Sequence, residues 1–130
     1  MANRNLINAL LADRWSANSA PAAGATLAAS VSAPQEPEAR LHLETLIYSI
    51  RNMMGAGALN TTITVSVRHA TPAGTVIASF DHLTAPSTST NVSMTRLGFA
   101  GKRGKGIHVT MDTVVASVKQ SVSMAGWKEE

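Results

Sequence analysis

The chain has no cysteine. That single absence removes disulfide scaffolds, cysteine-based zinc sites, iron–sulfur clusters and thiol nucleophiles. Aromatic residues are 4 % of the 130 residues and are limited to Trp15, Tyr48, Phe80, Phe99 and Trp127. Charged residues are 15 %, well under the usual quarter. The net charge of +3 is a mild basic bias, without the interleaved aromatics and cations of a nucleic-acid stacking surface. No apolar run approaches the ~18 residues that would cross a bilayer as a helix. The first residues do not read as a secretory leader either. Asn8 interrupts the apolar stretch and Asp13 and Arg14 close it, where an unbroken core of at least ~7 apolar residues is needed.

What the chain does hold is 45 % hydrophobic residues, with Ser and Thr filling about a fifth of the positions. A single domain of this length buries enough surface to fold without metal or cross-link. Leu6, Ile7, Leu10 and Leu11 recur at helical spacing, so residues Asn3 to Trp15 are expected as a short helix or an apolar arm that folds against a neighbour. Ser16 to Gly24, rich in Ala and Ser, reads as a linker, and Thr26 to Val31 as an edge strand stopped by Pro34 and Pro37.

Beyond Pro37 the period changes to two. Arg40 to Glu44 alternates polar and apolar residues, and Leu46 to Ile50 continues as a denser apolar strand. Ile63, Val65 and Val67 form a dry face against Thr62, Thr64, Ser66 and Arg68. Thr75 to Phe80, Val92 to Leu97, Ile107 to Asp112 and Val118 to Met124 follow, separated by turns about every ten residues. About six to eight short strands at this spacing predict a mainly β chain, an antiparallel β-sandwich of jelly-roll type. The expected division is an arm and linker over 1–24, a sandwich over 25–127 and a charged tail over 128–130.

Few residues carry chemistry. The loop Gly98–Gly106 holds Lys102, Arg103 and Lys105, yet Arg103 stands where a phosphate loop needs Ser or Thr, and no helix pattern follows. It reads as a flexible, solvated hairpin loop, or as a contact for an acidic partner surface or a phosphate backbone. His42, His69, His82 and His108 have no metal-ligand spacing, and no Gly-x-Ser-x-Gly elbow occurs. The carboxylates scatter through tail, linker and turns. The expectation is a protein without catalytic residues, metal or cofactor. Tyr48 and Phe80 lie in apolar strands and are expected in the core. Phe99 and Trp127 are the aromatics left free to face a sugar. The methionines read as core filling.

From Glu38 to Trp127 the chain resembles small structural proteins of tailed bacteriophages. The resemblance lies in the strand pair Arg40–Leu43 and Leu46–Ile50, the strands Thr62–His69, Val76–Phe80 and Val92–Leu97, the Gly-rich turn Gly101–Gly106, and a last strand ending in Gly126–Trp127. The basic cluster Lys102–Arg103–Lys105 departs from the plainer turn of that pattern. The resemblance implies a jelly-roll-like sandwich on a virion: a capsid decoration (cement) protein, or a neck or tail accessory protein. It implies a homo-oligomer, a trimer by preference, with the major capsid protein or another virion protein as partner, and neither membrane nor nucleic acid. The residues expected to touch the partner are Leu6, Ile7, Leu10, Leu11 and Trp15 of the arm, with Lys102, Arg103 and Lys105 of the loop. The rival expectation is a receptor- or carbohydrate-binding module.

Overall fold

The computed structural model describes residues 14–23, 27–31, 38–71, 73–112 and 117–129. Among them the strands are β1 (Arg14–Ala23), β2 (Leu27–Val31), β3 (Arg40–Asn52), β4 (Thr61–His69), β5 (Val76–Thr84), β6 (Thr88–Met94), β7 (Phe99–Ala100), β8 (Ile107–Asp112) and β9 (Val118–Glu129). They form two antiparallel sheets. The front sheet runs β1-β9-β3-β6, with β7 also paired to β3; the back sheet runs β2-β8-β4-β5. With the two-residue β7 set aside, the first strand pairs with the last (β1·β9), the second with the second-last (β2·β8), β3 with β6 and β4 with β5. That nesting is a long hairpin rolled into two facing sheets, the jelly roll. The chain is an antiparallel β-sandwich of that type.

Period-two patterning explains which faces meet. Ile63, Val65 and Val67 of β4 and Ile107, Val109 and Met111 of β8 are fully buried, facing Leu46, Tyr48 and Ile50 of β3 and Val118, Val122 and Met124 of β9. β3 is one strand of 13 residues rather than two. Its register against β9 slips between Leu43 and Thr45, leaving Glu44 as an extra residue. This bulge is why the apolar spacing changes phase in the sequence. It returns Leu46, Tyr48 and Ile50 to the face already occupied by Leu41 and Leu43.

Three buried side chains are tied down by hydrogen bonds. The Tyr48 hydroxyl hydrogen-bonds His82 Nε2 across the sandwich. Asn52 Nδ2 donates to the Thr84 carbonyl and hydroxyl, each at 3.3 Å, and its Oδ1 accepts from the Met54 amide at 3.0 Å. Gln120 Nε2 donates to the Met111 carbonyl at 3.1 Å.

Three expectations need correction. The stretch from Ser16 to Ala23 is strand, not linker, and Arg14 and Trp15 open it instead of closing a helix. Its residues are small, so the alternation of half-buried Trp15 and Ala17 with exposed Ser16 and Asn18 is faint in the sequence. Residues 1–13, including the rest of the expected helix or arm, lie outside the described residues. Lys128 and Glu129 are not a tail: they continue β9 opposite Leu41 and Arg40. Phe99 is not free. It lies in β7 against the core, its ring 6.5 Å from that of Phe80.

Candidate functional site

The start of β3 draws two sets of exposed side chains to one end of the front sheet. The first is an aromatic and charged patch. Gly126 of β9 stands between Trp15 of β1 and Leu43 of β3, and the neighbouring residue Trp127 between Arg14 and His42. The Trp127 indole stacks on the His42 imidazole, with ring centroids 4.0 Å apart and planes 3° from parallel. Trp127 remains 38 % exposed. His42 Nε2 lies 3.4 Å from Glu129 Oε2, and Arg14 pairs with Glu44 at 3.5 Å. The exposed Arg14–Glu44 pair contributes little stability and chiefly sets local charge. Trp15 is half-buried against the core and its Nε1 donates to the Trp127 carbonyl at 3.1 Å. The structure therefore gives Trp15, expected as a partner contact, a packing role in the sandwich. Leu6, Ile7, Leu10 and Leu11 lie outside the described residues.

The second set is the loop of residues 101–106, and it is pinned where flexibility was expected. The Gly101 amide donates to the Leu41 carbonyl at 2.8 Å and the Gly104 amide to the Ala39 carbonyl at 2.7 Å. The Arg103 guanidinium donates to the Glu38 carbonyl at 2.7 Å. At the far end of the loop, the Gly106 carbonyl accepts from the Ala70 amide at 2.9 Å. Gly101 is packed against the Ile107 side chain, which a Cβ would approach to 3.1 Å, and Gly104 turns the chain at φ 67°. The loop thus holds exposed Lys102, Arg103 and Lys105 as a fixed basic knob. Burial, and secondarily the nearby charge of Lys102, push His69 below the usual histidine range.

Both sets sit on the first residues of β3, a juxtaposition between Trp127 and the basic loop that their separation in sequence conceals. The middle of the same face differs. Asn18, Ile47, Ser49, Asn91, Ser121 and Ser123 line a shallow groove of about 360 Å³ without a charged side chain. The Ser49 and Ser121 hydroxyls are 2.6 Å apart, and Ser123 hydrogen-bonds Asn18. Sequence reasoning passed over this shelf because its residues look like ordinary outward positions of four different strands.

As for chemistry, Tyr48 is 1 % exposed, and burial pushes its hydroxyl pKa up. The Tyr48–His82 pair is a strut inside the sandwich. Among the described residues, no three His, Asp or Glu side chains are grouped to hold a metal ion, and no helix is long and apolar enough to cross a membrane. The arrangement suits surface recognition: an aromatic platform and a basic knob at one end, and a neutral hydroxyl shelf beside them.

No protein-family model and no curated protein sequence matches the chain. Solved structures are similar to parts of it. A ruminal GH26 endo-beta-1,4-mannanase shares 9 % identity over 82 % of this chain and 19 % of its own, with a TM-score of 0.43. The CPMV top component shares 15 % over 72 % of this chain and 54 % of its own, with a TM-score of 0.38. The tobacco streak virus coat protein shares 10 % over 88 % of this chain and 86 % of its own, with a TM-score of 0.38. The chain thus spans about a fifth of the mannanase and about half of the CPMV chain.

Proposed function

We propose that this chain is a non-enzymatic structural protein of a bacteriophage virion, a capsid decoration or cement protein that holds the head through its N-terminal arm and an edge of its sandwich. The observation that carries the reading is the point where the arm joins the fold. β1 begins at Arg14 as the edge strand of the front sheet, opposite Trp127. The segment bearing Leu6, Ile7, Leu10 and Leu11 is therefore joined to the sandwich at the end that also holds the Trp127–His42 platform and Lys102, Arg103 and Lys105. An apolar contact and a basic contact leaving from one end grip a partner together, and the tether multiplies their effect through effective concentration. The partner is the major capsid protein or another virion protein with an acidic surface.

Binding to purified phage heads, read by co-sedimentation, tests this. The structure fixes the cut: removing residues 1–13 spares β1, whereas removing 1–20 destroys most of it. The full chain should bind saturably. The chain starting at Arg14 should keep its circular dichroism spectrum and lose at least about tenfold in affinity. A chain without residues 1–13 that binds as well as the full chain overturns the arm proposal. A full chain that binds no head overturns the reading as a whole. The rival reading, a receptor- or glycan-binding module, rests on the exposed Trp127 ring between Arg14 and His42. Glycan binding lost on Trp127→Ala would favour it.

A further inference from the structure

The four outer strands of the sandwich are not equally protected against addition of another strand. β1 carries Pro21 and a register shift between Ser19 and Ala22. β2, the edge of the other sheet, lies against β1 along that side of the sandwich. β5 is interrupted by a bulge at Ile77, between the pairs Val67–Ala78 and Arg68–Val76, and it carries Asp81. Bulges, proline and charge are the devices that blunt a sheet edge. β6 has none of them. Its seven residues, Thr88–Met94, hold no charge, Pro or Gly and keep an unbroken register with β3, from Asn52–Thr88 to Leu46–Met94. Among the described residues β6 pairs with β3 alone, so its outer edge presents backbone donors and acceptors at roughly every second residue.

We propose that this edge pairs with β6 of a second copy of the chain, antiparallel about a two-fold axis at Asn91, joining two front sheets into one. The sequence of the strand argues for a copy of itself as occupant. Centred on Asn91, all seven residues find a partner. On the outer face, where Ser89, Asn91 and Ser93 are exposed, Asn91 meets Asn91 and each Ser89 meets Ser93. On the inner face Thr90 meets Val92 and Thr88 meets Met94. Amide meets amide, hydroxyl meets hydroxyl, a β-branched residue meets a β-branched one, and no like charges oppose. The contact is isologous, as a closed dimer requires. It also extends the neutral shelf of Ser49, Ser121 and Asn18 across both copies. The inference is independent of the arm and of the partner on the head.

The test is sedimentation velocity on the full chain over a concentration series, with a charge swap at the axis. The wild-type chain should approach twice its 13.6 kDa mass as concentration rises. Asn91 is exposed, so Asn91→Lys and Asn91→Asp should each leave the melting temperature of the monomer, read at low concentration, unchanged. Each introduces two like charges that face each other and should weaken self-association by about tenfold or more. An equimolar mixture of the two variants should recover association, because unlike charges now meet. A wild-type chain that stays monomeric, or forms a species of three times its mass, overturns the proposal. So do a dimer indifferent to both substitutions and a mixture no tighter than its components. A dimer lost on removing residues 1–13 but kept by both Asn91 variants assigns association to the arm and refutes the edge.

Discussion

Gly126 occupies a point in the front sheet where there is no room for a side chain. A Cβ built there would lie 1.8 Å from the His42 carbonyl oxygen and 2.8 Å from Cζ2 of Trp15. The first obstacle is backbone and cannot rotate away, so β9 and β3 would have to open by more than an ångström for Gly126→Ala. Overpacking of this kind costs about 1–3 kcal/mol and sometimes more. The loss of a flexible glycine from the unfolded chain offsets about 0.4–1 kcal/mol of that. A net destabilisation of about 1–2 kcal/mol follows, which lowers the melting temperature of a domain this size by roughly 3–10 °C. The chain has two tryptophans, Trp15 and Trp127, and both flank this residue. Intrinsic fluorescence therefore reports on this corner, while circular dichroism reports on the whole sheet. Gly55→Ala is the matched control: nothing lies within 4 Å of the added methyl, and the chain should be as stable as before or slightly more so. A Gly126→Ala chain that melts with the wild type, or with Gly55→Ala, would refute the reasoning.

Two further outcomes are expected. His69 is held below its ordinary value of 6.5, by burial first and Lys102 second. The folded chain then carries fewer protons at this site than the unfolded chain. Its contribution to stability is present above pH 6.5 and is lost as pH falls below it. The urea midpoint should accordingly drop between pH 7 and 5, and His69→Gln should flatten that slope; an unchanged slope would remove His69 from the account. Asn52→Ala deletes the three hydrogen bonds that join β3, Thr84 and the Met54 amide. The loss should be about 1–3 kcal/mol by urea denaturation, and no change in midpoint would show that water replaces the bonds freely.

Much of the back sheet is legible in the sequence, because β4 and β8 alternate cleanly and the turns around them carry Pro and Gly. The front sheet is harder to read. β3 changes phase at Glu44, so it looks like two strands. A phase break inside an unbroken apolar stretch is itself the signal of a bulge. β1 is built from Ala, Ser and Asn, and only its pairing with β9, far away in the sequence, makes it a strand. Local pattern likewise says nothing about which strands pair, and the jelly-roll order rests on those distant pairs. The site was visible in pieces. Trp127 and the Lys102–Arg103–Lys105 cluster stand out by residue type, but their shared position depends on hydrogen bonds from Gly101 and Gly104 to β3. Trp15 looked like part of the arm because it follows an apolar helix-like run, and Phe99 looked free because it adjoins glycines.

One strand of the fold governs how the protein can be made. β9, the last of the described strands, lies inside the front sheet with β1 on one side and β3 on the other. During synthesis, the hydrogen-bonding edges of β1 and β3 stay unsatisfied until Val118–Glu129 has been produced. The front sheet therefore closes only once β9 is available to pair. The separation of its partners gives a high contact order, which places folding in the millisecond-to-second range typical of sandwiches. A chain that stops before residue 118 exposes two adhesive strands at once, and its expected fate is aggregation rather than a smaller folded domain.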